Sequence, residues 1–362
     1  MRINPNHHHK KQNFFRANGL SLMMLISVLM IIGAGSYYQV FKTKKTASGF
    51  ENKAETHNLI ALPADDAPHQ FKMEWWYYNG HLLTQSGKKY SFHDSLFLIN
   101  GSISQMVNHV SLTDHQSGQH YIDQRSTAGN LSVGTVNRFD FTTNRWSLAG
   151  GNGIDKLIAT TPEFSFNLDL TSTQAPVFHG KEGVISLGLV GSSYYYSRTR
   201  MVITGSLNIN GQTESVTGLA WFDHQWGGFS TTQLSWDWFS LQLDNQSDIM
   251  IYQLRDKANQ PILYTGSFTK DGNTEILSSN DFTLTKGEQW HSTKTDINYP
   301  IAWKIVIPSK NIDLTTHSIN NDSEFDASLT SYNVYWEGAI KVTGSHTGQG
   351  FMELSGYSNT KN

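Results

Sequence analysis

The chain has 362 residues, a formal net charge of −3 and no cysteine. The missing cysteine excludes disulfides, thiolate nucleophiles and cysteine-ligated zinc. The charge is small and the body lacks a basic cluster of useful length, which argues against nucleic acid as a partner. Aromatic residues make up 12% and charged residues 16%, a balance typical of a folded chain. The length favours two domains over one.

The first 41 residues are predicted to form a signal or membrane-anchor helix. Basic residues precede an uncharged stretch at 17–41, whose strongly apolar core is 20–34. This length fits either a signal peptide or one membrane-spanning helix. We therefore expect export across a bacterial inner membrane, with the body periplasmic, membrane-anchored or secreted after cleavage. Residues 42–68 are polar and irregular, and are predicted to be a linker.

The body beyond the linker has the pattern of short antiparallel strands. Residues 90–99 alternate between apolar and polar side chains, and Asn210-Gly211 separates two such runs. Asn-Gly between alternating runs is a strong hairpin signal. A second hairpin is expected from 236–243 and 248–254, and a third around a turn at 344–350. The predicted fold class is all-β, with two antiparallel barrels at 69–230 and 231–362.

Two aromatic motifs far apart in the sequence carry titratable groups. Residues 74–81 read Glu-Trp-Trp-Tyr-Tyr-Asn-Gly-His, and residues 221–228 read Trp-Phe-Asp-His-Gln-Trp-Gly-Gly. Acids and imidazoles set among indoles lie against apolar surface, where desolvation shifts their pKa values. We interpret the two motifs as parts of one site assembled from distant strands.

Strand alternation divides each motif into two faces. In the second motif, one face carries Phe222, His224 and Trp226, while the other carries Trp221, Asp223 and Gln225. In the first motif, one face carries Glu74, Trp76 and Tyr78, and the other Trp75, Tyr77, Asn79 and His81. On a regular strand, Asp223 and His224 therefore cannot both face one cavity.

Structural roles are alternatives for each of these residues. Trp75 or Trp76 could close one end of a barrel. Asp223 could form a turn, and His224 could be a hydrogen-bonded core histidine. A buried Glu74 needs a partner, because an unpaired carboxylate is costly inside a protein.

Other polar residues have weaker assignments. Arg198 and Arg200 could clamp an acidic ligand or pair with carboxylates such as Glu74. His81 and His93 could form a metal triad with His224, but no metal-binding spacing supports it, so no metal is expected. Asp94 is a polar residue on an otherwise apolar strand face and has no assigned role.

Six segments together resemble the AttH/CrtC family, which includes carotenoid 1,2-hydratases, exported proteins labelled secreted hydrolases, and related fungal hydratases and Diels–Alderases. These segments are 74–81, 194–197, 221–227, 236–239, 335–338 and 350–357. The resemblance runs from about residue 70 to 357. It implies two lipocalin-like β-barrels packed together, an apolar ligand pocket near their interface, and no cofactor. The acid/base and aromatic positions of the carotenoid hydratases would fall on His224 and Trp226, with Tyr252 a further match.

Two functions fit this pattern. In the first, an exported protein binds a lipid or other apolar molecule in a barrel cavity, with the inner membrane and an ABC-type export system as partners. In the alternative, a cofactor-free hydratase or hydrolase adds water to an isoprenoid-like or lipid substrate. Whether the chain is an enzyme is left open.

The hydratase alternative assigns roles to specific residues. Asp223 or Glu74 would be the acid, His224 the base, and Tyr252 and Trp226 would face a carbocation. The predicted catalytic residues are therefore Asp223, His224, Glu74 and Tyr252. The predicted substrate-binding residues are Trp76, Tyr78, Tyr195, Trp221, Trp226 and Trp238.

Overall fold

A computed structural model describes residues 60–357, apart from 130–134, 144, 230–233 and 257. The predicted helix at 1–41 and most of the predicted linker lie outside the described residues. Within the described part, no helix is both long enough and apolar enough to cross a bilayer.

The described chain is built almost entirely from antiparallel strands. In order they are β1 (Met73–Thr84), β2 (Lys89–Ile99), β3 (Gln105–Asp114), β4 (His120–Ala128), β5 (Phe139–Thr142), β6 (Trp146–Gly151), β7 (Ile154–Thr160), β8 (Phe164–Ser172), β9 (Val177–Phe178), β10 (Val184–Ser186), β11 (Ser192–Ile209), β12 (Gln212–Gly227), β13 (Ser235–Leu243), β14 (Asp248–Arg255), β15 (Pro261–Lys270), β16 (Asn273–Ser278), β17 (Thr283–Lys286), β18 (Gln289–His291), β19 (Asn298–Pro300), β20 (Ala302–Ile307), β21 (Ile312–Ser318), β22 (Glu324–Ala327), β23 (Asn333–Gly344) and β24 (Gly348–Ser355). Short 3₁₀ helices lie at Ala64–Asp66, Gly188–Val190 and Pro308–Lys310.

The strands form two large curled sheets, each a half-barrel around its own core. The N-terminal sheet has the order β4-β3-β2-β1-β12-β11-β8-β7-β6-β5, with β9 and β10 paired to β11. The C-terminal sheet has the order β16-β15-β14-β13-β24-β23-β21-β20-β17, with β22 paired to β23. The chain passes from one sheet to the other between Gly227 and Ser235. The all-β, lipocalin-like fold with two packed units is confirmed.

Two hairpins predicted from the sequence are present in the structure. Asn210 and Gly211 have φ values of 53° and 80°, as a two-residue hairpin turn requires, and they join β11 to β12. The predicted hairpin at 236–254 is formed by β13 and β14. The third turn is shorter than predicted, because β24 already begins at Gly348 and pairs with β13 and β23 from there. Only residues 345–347 separate β23 from β24.

Three apolar clusters account for most of the buried side chains. One fills the N-terminal half-barrel and includes Trp76, Tyr78 and Phe222. A second fills the C-terminal half-barrel. The third lies between the sheets and includes Trp221 and Trp238. Parts of β1, β11 and β12, including 76–80, 195–201 and 220–227, are buried on both faces, because one face meets its own core and the other meets the C-terminal sheet.

The segment before β1 is fixed inside the N-terminal half-barrel by a buried ion pair. Asp66 is fully buried and accepts two hydrogen bonds from the Arg198 guanidinium, at 2.8 and 3.1 Å. It also accepts from the Tyr196 hydroxyl and from the backbone N–H of Asn152. A bidentate pair of this kind holds the segment in one position.

We expect Asp66→Asn to lower the free energy of unfolding by about 3–5 kcal/mol, because Arg198 keeps its buried charge and loses its counter-ion. Equilibrium denaturation in urea, with full refolding as the check on reversibility, measures this difference. The matched control is Asp169→Asn, which breaks the exposed Lys156–Asp169 pair and should cost far less. Equal losses in the two variants would contradict the role given to Asp66.

Candidate active site

The two aromatic motifs lie side by side, as the sequence predicts. β1 and β12 are antiparallel neighbours, with Trp76 opposite His224 and Tyr77 opposite Asp223. Residues opposite each other in such a pair share a face of the sheet. The predicted alternation therefore holds across both strands, and the motifs supply one row of side chains to the half-barrel core and another to the interface between the sheets.

Glu74 and His224 meet inside the N-terminal half-barrel. Both are fully buried, and the His224 Nε2 lies 2.8 Å from the Glu74 Oε1. The same oxygen lies 2.7 Å from the Nδ1 of His69, whose backbone N–H donates to Oε2 at 2.8 Å. The partners of Glu74 are thus imidazoles and not arginine, because Arg198 pairs with Asp66 and Arg200 pairs with Asp248.

Three predicted substrate-binding residues lie in the same core as this buried pair, and two of them, Trp76 and Trp226, contact its imidazole. The Trp76 ring stacks on His224 at 4.4 Å between centroids, and Trp226 stacks on His69 at 4.1 Å. The Tyr78 hydroxyl donates to Asp155 at 3.0 Å. These aromatic rings fill the space around the polar groups, so Trp76, Tyr78 and Trp226 have a packing role in this core.

The charges in this core are set by the balance of burial and hydrogen bonding. Burial lowers the pKa of His69, but hydrogen bonds to Asp65 and Glu74 outweigh it and raise that pKa to about 9. Burial opposes ionisation of Glu74, yet its two imidazole partners hold its pKa below the ordinary value. Burial also lowers the pKa of His224. Glu74 is therefore a carboxylate here and is poorly suited to donate a proton.

Asp223 occupies the opposite face of β12, between the two sheets. It accepts hydrogen bonds from the Tyr195 hydroxyl at 2.7 Å, from the Trp221 indole at 2.6 Å and from the Ser197 hydroxyl. The Trp238 indole donates in turn to the Tyr195 oxygen at 3.0 Å. Asp223 lies within a strand and does not form a turn. The structure thus brings Asp223 together with the predicted residues Tyr195, Trp221 and Trp238.

A second row of side chains faces Asp223 from the C-terminal sheet. Across β14, β13, β24 and β23 the directly opposed residues are Tyr252, Trp238, Glu353 and Glu337. Opposed residues share one face, and Trp238 belongs to the apolar cluster between the sheets. The Tyr77 hydroxyl crosses the interface and donates to Glu337 Oε1 at 2.7 Å. We call Asp223, Glu337 and Glu353 the interface carboxyl cluster.

Burial keeps protons on this cluster. Burial, and then the neighbouring Glu353, raise the pKa of Glu337 well above its ordinary value. Burial raises the pKa of Glu353 to about 7. Glu337 Oε2 is buried and has no hydrogen-bond partner among the described residues. Glu337 is therefore a neutral acid with one free oxygen, while Glu353 lies near its point of ionisation.

The four predicted catalytic residues thus fall into two separate places. Glu74 and His224 lie inside the N-terminal half-barrel, whereas Asp223 and Tyr252 lie at the interface. Asp223 and His224 are consecutive in β12 and point to opposite faces of the sheet. No single substrate atom can meet both.

Glu337 and Glu353 were missed as candidate acids, although both lie in segments that carry the family resemblance. A signal was present in Trp336-Glu337-Gly338, where an acid follows a tryptophan within a strand. His69 was also missed, because it precedes the first predicted strand. The metal triad that was considered for His81, His93 and His224 is not assembled, since His81 and His93 face the interface side of β1 and β2.

A surface groove of about 400 Å³ opens between the sheets at Leu219, Gln242, Lys341 and Gln349. They lie four positions along their strands from Asp223, Trp238, Glu337 and Glu353, respectively. Four residues of strand span about 13 Å. Between groove and carboxyl cluster lies one buried layer of side chains, which includes Trp221 and Phe351.

Comparisons with known proteins agree with this architecture. A crystal structure of an AttH protein from Nitrosomonas europaea has a TM-score of 0.77 and 26% identity, and the match covers 83% of this chain and 98% of that one. The dehydratase asqC of Emericella nidulans is 24% identical over 217 residues, which are 53% of this chain and 58% of the dehydratase. Kievitone hydratase of Fusarium solani subsp. phaseoli is 22% identical over 254 residues, 62% of this chain and 72% of the hydratase.

The extent of these matches differs. The chain spans little more than half the length of the dehydratase, but nearly all of the Nitrosomonas protein. The profile of the AttH-like family matches residues 53–357. This range includes both sheets and both aromatic motifs. The chain therefore belongs to the AttH-like family.

Proposed function

We propose that the protein is a cofactor-free hydratase that adds water to a carbon–carbon double bond of an apolar substrate held between the two sheets. The observation that carries this proposal is the neutral Glu337, whose free oxygen faces an aromatic interface beside a second, ionisable carboxyl. The two curated relatives are a dehydratase and a hydratase, which supports the same reaction class in either direction. Their names favour this interpretation over a ligand carrier for an export system.

The proposed reaction begins with proton transfer from Glu337. Its Oε2 gives a proton to one alkene carbon, and a carbocation forms at the other. The ring faces of Trp238, Tyr77 and Tyr252 stabilise that cation through their quadrupoles. Tyr77 also fixes the Glu337 carboxyl by donating to its other oxygen. The protein thus keeps a protonated carboxyl available at neutral pH, in a site from which bulk water is excluded.

Water then attacks the cation and gives a proton to Glu353. Glu353 is the base because it lies directly opposite Glu337 and its pKa of about 7 leaves it partly ionised at neutral pH. Both Asp223 oxygens already accept hydrogen bonds, so Asp223 positions Tyr195 and Trp221. One proton leaves Glu337 and one arrives on Glu353. Proton exchange between these neighbouring carboxyls restores the starting state.

The groove at Gln242 and Lys341 supports an entry route for the substrate. It lies on the same face as the carboxyl cluster and reaches the layer that contains Trp221 and Phe351. A substrate would have to displace this layer. The predicted export, membrane anchoring and transporter partnership stay predictions beside this proposal.

Glu337→Gln should reduce hydration by about 10²–10⁴-fold, the usual contribution of a general acid. Glutamine has nearly the same shape and can still accept from Tyr77, but it cannot donate an acidic proton. The assay follows hydrated product by mass spectrometry, with kievitone and a panel of isoprenoid alkenes as probe substrates. The surface variant Glu163→Gln is the control and should retain full activity. Equal activity of the two variants would exclude Glu337 as the acid.

Glu353 should also make the free energy of unfolding depend on pH, and this dependence can be measured without a substrate. An unfolded glutamate releases its proton near pH 4.5, whereas Glu353 in the folded chain holds its proton to about pH 7. Between these values the folded state binds more protons, so this group makes the free energy of unfolding fall as pH rises. Relative to wild type, Glu353→Gln should remove that decline across pH 4.5–7.

Urea denaturation at several pH values measures the effect as the difference between variant and wild type. Taking the difference cancels the opposite contribution of the buried neutral histidines. Glu163→Gln serves again as the exposed control and should follow the wild-type profile. A constant difference between wild type and Glu353→Gln across the window would show that Glu353 titrates normally.

A further inference from the structure

A second cluster of ligating atoms lies on the other face of β12, away from the carboxyl cluster. His69, Glu74 and His224 each present one nitrogen or oxygen, and these atoms all lie within 4.8 Å of one another. Both imidazoles approach the same oxygen, Glu74 Oε1, at 2.7 and 2.8 Å. Two imidazoles and a carboxylate are a common ligand set for divalent transition metals.

The hydrogen bonds around His224 leave its Nε2 directed at Glu74. The Tyr196 hydroxyl has one proton, which it donates to Asp66. Its oxygen can then only accept from the His224 Nδ1, which lies 3.3 Å away. The Nε2 then lies 2.8 Å from the Glu74 Oε1. Either a second proton on the imidazole or a metal ion occupies the position between these two atoms.

The charges of the surrounding groups favour a divalent ion at this position. Asp66 is matched by Arg198 in a bidentate pair. Asp65 and Glu74 face His69 and His224, with the Asp65 Oδ1 3.5 Å from the His69 Nε2. Metal binding at Nδ1 of His69 and Nε2 of His224 needs both imidazoles neutral, and Asp65 and Glu74 then carry two negative charges. One divalent ion balances them.

We propose that His69, Glu74 and His224 bind one divalent transition-metal ion. Ligand bonds of about 2.1 Å in a tetrahedral site place neighbouring ligand atoms about 3.4 Å apart. Each imidazole nitrogen, now 2.7 or 2.8 Å from the Glu74 Oε1, would have to move about 0.6–0.7 Å away from that oxygen. Tyr196 holds His224 in the tautomer that leaves Nε2 free, the usual task of a group behind a metal ligand.

The ion would join the segment before β1 to the β1–β12 pair. His69 belongs to that segment and is partly exposed, which gives the ion a path from solvent, while Glu74 and His224 are fully buried. The stacked rings of Trp76 and Trp226 shield the site on both sides. Binding would therefore stabilise the folded chain as well as fill the site.

The test is metal content, measured on the full-length chain purified without a histidine tag. The tract His7-His8-His9 is replaced by alanines in every sample, because it could bind metal by itself. After chelation the protein is incubated with Co²⁺ or Zn²⁺, dialysed, and analysed by mass spectrometry for metal and by visible absorption for Co²⁺. We expect one ion per chain, a Co²⁺ absorption band and a higher melting temperature.

His69→Ala and the more conservative His69→Gln should both weaken metal binding at least 10-fold while the chain stays folded by circular dichroism. The matched control is His291→Ala, which removes a surface histidine 3.5 Å from Asp296 and should bind as the parent does. Less than about 0.1 ion per chain in the parent, or unchanged binding in both His69 variants, would overturn the proposal. Protons alone would then hold the cluster together. Because the readout is metal, the result is independent of hydratase activity.

Discussion

The constraint on which the structure depends is the two-residue period of β1, β11 and β12. Over 193–198 of β11, 220–227 of β12 and 76–80 of β1, neighbouring side chains alternate between the N-terminal core and the interface between the sheets. Consecutive titratable residues, such as Asp223 and His224, therefore lie in different environments. One pair of sequence motifs builds two sites because of this geometry.

The two environments differ in what they offer a buried carboxyl. In the N-terminal core, Asp66 pairs with a guanidinium and Glu74 contacts two imidazoles, so each carboxyl faces a group that can carry positive charge. At the interface, Asp223 meets only hydroxyl and indole donors, and Glu337 meets a tyrosine and another acid. Without a cation nearby, burial dominates and protons are retained. The half-barrel core is therefore suited to holding a cation, and the interface is suited to supplying a proton.

The sequence alone predicts those features of the structure that depend on local residue patterns. The all-β class, the hairpin at Asn210-Gly211 and the division of both motifs into faces follow from period and turn chemistry, and these predictions are confirmed. Glu337 lies opposite Glu353 because of the register between β23 and β24, and both face Asp223 because the sheets pack together. No local sequence pattern encodes the register or the packing. His69 reaches its site only because the segment before β1 folds back into the half-barrel. Asp94 is buried without a partner among the described residues, and nothing in the structure explains it.

The proposed hydratase function requires an apolar alkene to react between the sheets and not inside the N-terminal half-barrel. A crystal structure of the protein with kievitone or its hydrated form tests this most directly. The account predicts electron density between Glu337 and Glu353, with the layer containing Trp221 and Phe351 displaced toward the groove. Density beside Glu74 and His224, with the interface unchanged, would contradict it.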